Sequence, residues 1–221
     1  MADQTAVAAE LEHPHGLQHQ FDDLGQQYDA TTFGMWVFLV QEILFFGGLF
    51  ACYTVYRSMY HDAFALASSH MDRNVGAFNT LVLIGSSLTM ALAVRAAQLS
   101  QRKALVRNLL LTMALGFVFL GVKVYEYSHK WHEHLVPGLN FLFEGPHARQ
   151  VEILFSFYFA MTGMHALHMV VGEGLLAYFV FKALKNTYTE TYYGPVEIMG
   201  LYWHFVDIVW IFLFPLLYLI G

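Results

Sequence analysis

The chain has 221 residues, of which 57% are hydrophobic, 17% aromatic and only 13% charged, a mix far from that of a soluble globular domain and one that demands lipid or a large partner surface. A formal net charge of −6, with no basic stripe to neutralise phosphates, excludes nucleic acid as a partner. The single Cys52 lies in an apolar run, so no disulfide framework forms within one chain and the redox compartment goes unmarked.

Residues 1–32 carry acidic groups and His13, His15 and His19, but no Lys or Arg and no early apolar core. They read as a polar, flexible tail rather than a signal peptide, with nothing cleaved. Its histidines are incidental, because no second cluster is spaced to close a metal site.

Residues 33–221 form the membrane domain. Five apolar stretches approach or exceed the roughly 20 residues that a helix needs to cross the hydrocarbon core: about 33–56, 75–94, 108–127, 153–181 and 198–220. They are apolar all round rather than alternating, which excludes strands, and only helices or closed barrels satisfy the backbone in lipid. The expected fold is an all-α bundle of five transmembrane helices. Arg95, Arg102, Lys103, Arg107, Lys182 and Lys185 fall on the side of the N-terminus, against Arg57, Arg73, Lys123, Lys130 and Arg149 opposite. This mild excess, carried by Arg102, Lys103 and Arg107, favours a cytoplasmic N-terminus and an external C-terminus.

An ionisable group inside a span is costly and therefore a candidate for function or for a specific inter-helix contact. In the first span Glu42 shares a helix face with Phe38, Phe45, Phe46 and Leu49. It reads either as a proton-handling or partner-gripping carboxyl, or as a structural acid held by one inter-helix hydrogen bond. In the third span Lys123 and Glu126 lie three apart, at the spacing of a structural ion pair. Glu126 and His129 also have the Glu-x-x-His spacing of di-iron bundles, but no second copy accompanies them.

In the fourth span His165 and His168 share one face, and a metal reading would draw on His204 from the fifth. The preferred reading is a pair of imidazoles hydrogen-bonding across a helix interface, with Gly163 and Gly172 permitting close approach. Glu173 lies deep in the same span, away from the histidines, with no nameable partner. In the fifth span His204 and Asp207, three apart and flanked by Trp203 and Trp210, are placed to share a proton or charge. Neither a nucleophile nor a metal-ligand set accompanies them, so the seam reads as packing rather than catalysis.

Tyr202-Trp203-His204-Phe205-Val206-Asp207-Ile208-Val209-Trp210, followed by Phe212-Leu213, resembles the closing helix of subunit III of cytochrome c oxidase, and the resemblance to that family runs from about residue 34 onward. Gly163, His165, Leu167, His168 and Gly172 match its Gly-Phe-His-Gly-Leu-His stretch, with Met164 and Ala166 replacing Phe and Gly. Glu126-Tyr127, Asn79-Thr80, Glu42-Ile43-Leu44-Phe45-Phe46 and Glu197 fit the same pattern.

The resemblance implies a redox-silent helper in a bacterial haem-copper terminal oxidase of aerobic respiration. Such a subunit packs on catalytic subunit I, binds phospholipids, supports proton uptake and sits in the bacterial inner membrane. It implies no catalytic residue, metal or cofactor in this chain. Haem and copper belong to subunits I and II, cytochrome c or an equivalent donor acts indirectly, and a supercomplex is a further expected setting. On this reading Glu42 is linked to proton uptake. Lys123, Glu126, His165, His168, Glu197, His204 and Asp207 form polar seams between helices, and Arg102, Lys103 and Arg107 meet lipid headgroups.

The long form of the family has seven spans, whereas this chain begins at what would be the third. The loop holding Leu139-Asn140-Phe141-Leu142-Phe143-Glu144-Gly145-Pro146 is also longer than expected and is a candidate partner contact. Two alternatives stand beside this reading. One is an accessory subunit of nitric oxide reductase. The other is a free-standing membrane metalloprotein using His165, His168, His204 and Glu126.

Overall fold

The computed structural model describes residues 16–143, 145, 147–190 and 192–219. His13 and His15 of the tail, Glu144 and Pro146 of the long loop, and Ile220 at the end of the fifth expected span lie outside the described residues. The helices are α1 (Leu24–Met59), α2 (His61–Ser68), α3 (Arg73–Gln98), α4 (Arg102–His132), α5 (Ala148–Leu184) and α6 (Gly194–Tyr218). All but α2 are long and apolar enough to span a membrane.

The helix starts are set by local chemistry. The Asp23 carboxylate accepts from Gln26 N at 2.7 Å and caps α1. Gln27 then accepts from Gln18 N at 2.7 Å and donates to Gly16 O at 3.1 Å, folding the preceding segment onto the helix. The polar tail is thereby corrected: Leu24–Thr32 continue the first helix. A side-chain cap satisfies amides that the first turn leaves orphaned, so the helix extends past the hydrocarbon edge without apolar residues. Asp72 caps α3 in the same way, accepting from Asn74 N at 2.9 Å and Val75 N at 3.2 Å.

The connection between the first two spans holds α2, a short helix hidden from a hydropathy reading by its flanking polar residues. Its Ala63, Phe64 and Ala67 are buried. The Tyr53 hydroxyl donates to Leu216 O at 2.5 Å and the Ser68 hydroxyl to Leu217 O at 3.4 Å, so two carbonyls of the last turn of α6 find donors. The long loop folds into an antiparallel ribbon, β1 (Leu135–Val136) on β2 (Asn140–Phe141), with Leu135 opposite Phe141 and Val136 opposite Asn140. Leu139 and Leu142 stand exposed on it.

The buried residues of α4, including Leu105, Thr112, Gly116, Phe119, Lys123, Glu126 and Lys130, recur every three or four positions. They form one stripe against α3 and α5. α1 buries only Gln27, Met35, Leu39, Glu42, Phe46 and Tyr53, leaving most of its circumference to lipid or partners. α6 is the enclosed helix. Its Trp203 and Trp210 are fully buried, and half of its most apolar window is covered, more than in any other span.

Candidate functional site

The candidate polar groups gather mainly at four places, three inside the bundle and one on its surface, with His165 and Glu173 buried apart from them. At the end carrying the C-terminus, Lys123 on α4 is 3% exposed. Its Nζ donates to Glu126 Oε2 and to the Tyr218 hydroxyl, both at 2.8 Å. Tyr218 in turn donates to Glu126 Oε1. The ammonium lies 4.6 Å from the Trp210 ring centroid, 5.3 Å from that of Tyr158 and 5.4 Å from that of Tyr218. A buried charge is tolerated where an opposite charge, hydrogen bonds and ring quadrupoles replace water. Two turns on, Lys130 is likewise buried, donating to Glu133 Oε2 at 2.5 Å and to His70 O at 2.6 Å. Sequence reasoning missed Lys130 and Tyr218. The i,i+3 spacing of Lys130 and Glu133 was the available signal for the first, whereas Tyr218 offered none.

The second place joins α1 to α5. Glu42 Oε2 lies 3.1 Å from His168 Nε2, and His168 Nδ1 meets Met164 O at 2.8 Å. The Tyr202 hydroxyl of α6 donates to His168 O at 2.8 Å, and Phe46 packs on the imidazole with centroids 5.3 Å apart. An apolar cavity of about 470 Å³ opens beside this pair, lined by Met35, Phe38, Leu175 and Tyr202 among others. Of the residues expected on the Glu42 face, Phe46 is buried and Phe38 and Leu49 partly so, while Phe45 points outward.

His165 departs from expectation. It is fully buried, yet neither ring nitrogen has a hydrogen-bond partner among the described residues. Its ring sits between Phe119, at 5.4 Å, and Trp210, at 5.3 Å. Residues three apart on a helix point about 60° apart, and here that angle sends His165 into the α4–α6 interior and His168 toward α1.

The third place is a cleft of about 380 Å³ between α3 and α6, lined by Thr80, Ser87, His204 and Asp207. His204 Nδ1 pairs with the Ser87 hydroxyl at 2.7 Å. The expected direct sharing of a proton or charge between His204 and Asp207 is not seen: no hydrogen bond joins them, and Ser87 is the hydroxyl that neighbours both. Trp210 donates to the Thr80 hydroxyl at 3.0 Å and Trp203 to that of Ser86 at 3.1 Å, so the two indoles brace α3 rather than flank one acid–base pair. Glu173, also without a partner among the described residues, is lodged against Gly116 of α4.

The fourth place is the turn between α3 and α4. Arg102, Lys103 and Arg107 line a hollow of about 1000 Å³ with Val106, Leu110, Leu111 and Leu184, and Arg102 Nη2 donates to Leu184 O. On the same side Lys182 lies 5.5 Å from the Tyr178 ring and Lys185 4.3 Å from that of Phe181. Glu197, in the first turn of α6, accepts from the Tyr28 hydroxyl at 3.1 Å.

Glu126, His165, His168 and His204 thus each meet different neighbours and do not converge. His129 lies near Glu133, at 3.4 Å, rather than completing a site with Glu126. Among the described residues no group of three or more His, Cys, Asp or Glu side chains is placed to hold a metal ion.

Comparison with known proteins bears on this arrangement. A family model described as cytochrome c oxidase subunit III matches residues 26–221. Cytochrome c oxidase subunit 3 of Thermostichus vulcanus is 31% identical over 217 residues, covering 98% of this chain and 94% of that protein. The like-named protein of Corynebacterium diphtheriae is 32% identical over 194 residues, 87% of this chain and 89% of its own length. Quinol oxidase subunit 3 of Bacillus subtilis is 28% identical over 216 residues, covering 96% and 98% of the two chains.

Proposed function

Because this chain belongs to the cytochrome c oxidase subunit III family and is a multi-pass subunit III of a haem-copper oxidase, we propose that it works as a redox-silent scaffold on catalytic subunit I. It stabilises that subunit, holds phospholipids and supports proton uptake, while haem and copper reside in subunits I and II. The observation that carries this reading is the distribution of polar groups. Of the four candidate ligands, Glu126, His168 and His204 are each engaged by a different neighbouring side chain, as in inter-helix seams, and His165 is enclosed between Phe119 and Trp210.

Proton support is assigned to Glu42 and His168, which lie against each other between α1 and α5. Lipid binding is assigned to the hollow of Arg102, Lys103 and Arg107, where three cations for a headgroup line the same space as Val106, Leu110 and Leu111 for its acyl chains. The exposed ribbon tip at Leu139 and Leu142 is assigned to contact with a partner subunit.

The chain is placed in the bacterial inner membrane with a cytoplasmic N-terminus. Two of the opposing cations, Lys123 and Lys130, are buried and paired, so only Arg57, Arg73 and Arg149 remain to set against six on the N-terminal side.

The test is purification of the tagged chain from its host membrane in mild detergent. The expected result is co-purification with a haem- and copper-containing core. Recovery of the chain alone with stoichiometric haem or iron, or with haem b and non-haem iron in a reductase, would overturn the reading.

A further inference from the structure

The middle of α6 carries a polar group that the bundle itself leaves unfinished. His204 and Asp207 sit near the centre of the 25-residue helix Gly194–Tyr218, at the depth where lipid is least able to solvate them. Asp207 is 4% exposed, and its oxygens have no well-formed hydrogen bond among the described residues, Ser87 being the hydroxyl beside it that is already paired with His204. His204 is half-buried and commits Nδ1 to Ser87. Both line the cleft between α3 and α6, whose outer rim is the exposed Ile84, Leu88, Ile208 and Ile211.

On the other flank of α6 lies a second cleft of about 450 Å³, against Leu39, Phe46 and Gly47 of α1, and His204 and Ile208 form the wall that both clefts share. The central part of α6 is therefore a ridge between two grooves, the relief that a second helix packs into. Acyl chains would fill the apolar rim but offer no donor or acceptor to the imidazole and carboxyl behind it. A polar side chain carried by a helix satisfies both demands at once.

Resting on the assignment to an oxidase subunit III, we propose that the ridge of α6, with its cleft toward α3, is where a transmembrane helix of another oxidase subunit docks. That helix presents a hydrogen-bonding side chain to His204, with Asp207 behind it, and its apolar flanks cover Leu88 and Ile208.

The test uses the assembled oxidase. A photo-reactive amino acid is placed at Ile208 or at Leu88, and as a control at Val124 of α4, which is 70% exposed on another helix. The expected result is a crosslink from Ile208 and Leu88 to one transmembrane subunit, with Val124 labelling phospholipid. His204→Phe lowers the fraction of this chain retained on the complex by roughly tenfold, the effect of about 1.4 kcal/mol, and His204→Gln restores much of it. Labelling of phospholipid alone from Ile208 and Leu88, in a complex that retains the chain stoichiometrically, would overturn the docking face. Failure of the chain to co-purify with any oxidase core would instead overturn the assignment on which it rests. The crosslink is read with His204 and Asp207 unaltered, so it does not depend on the variants folding.

Discussion

Glu42 of α1 and His168 of α5, 126 residues apart in sequence, meet at 3.1 Å inside the apolar bundle. The other polar contacts of α1 with the bundle, from Tyr28 to Glu197 and from Tyr53 to Leu216 O, lie more than two turns away on either side, so this pair fixes the register of the middle of the helix. Glu42→Gln keeps a hydrogen-bonding side chain of the same length, and the complex should assemble normally. Glu42→Ala leaves His168 Nε2 unpaired beneath Phe46 and should lower stability by about 1–3 kcal/mol. With assembly intact, slower turnover in Glu42→Gln is the expected outcome if the pair passes protons. Wild-type turnover would reduce the pair to a clasp. Subunit retention and oxygen consumption separate the two.

Lys123 stands differently, because its charge is enclosed by Glu126 and by the rings of Tyr127, Tyr158, Trp210 and Tyr218. Removing either charged partner strands the other. Lys123→Met and Glu126→Leu should each cost about 3–5 kcal/mol, whereas the double variant should recover most of the loss. Thermal unfolding of the detergent-solubilised complex, run as a double-mutant cycle, measures the recovery.

These two sites mark what was legible in the sequence. The five spans were readable because an apolar run long enough to cross a bilayer admits one backbone solution. The local pair Lys123 and Glu126 was readable because three residues on a helix bring side chains together. The partners of Glu42 and His204 were not, since each contact joins helices that share no periodic signal, such as Ser87 to His204 across 117 positions. The helical extension from Leu24 was hidden for another reason. Outside the hydrocarbon a helix needs only a cap such as Asp23, and hydropathy does not register it.

The basic hollow yields a prediction about lipid rather than chemistry. Arg102 also holds Leu184 O, so Arg102→Ala mixes a structural loss with an electrostatic one. Lys103→Ala and Arg107→Ala are the cleaner variants. Each should weaken anionic phospholipid retention by about 1 kcal/mol, close to fivefold, with subunit assembly unchanged. Mass spectrometry of lipid bound to the purified complex provides the measurement. Equal lipid content in all variants would leave these cations as topology determinants only.

Gly116 marks a close approach of α4 to α5 and α6. A Cβ built there would stand 1.8 Å from Glu173 Oε1 and 3.0 Å from Trp203 Cη2. The carboxyl ends a flexible side chain and can swing aside, but the indole is fully buried and tied to Ser86, so it cannot. Gly116→Ala should therefore destabilise by about 1–3 kcal/mol through overpacking. Glu173→Ala in the same background removes the nearer clash and leaves the ring contact, so the rescue should be partial. A full rescue would mean that Glu173 alone sets the spacing of α4 and α5, and no rescue would mean that Trp203 does. Unfolding midpoints of the single and double variants discriminate these outcomes, because each predicts a different coupling between the two positions.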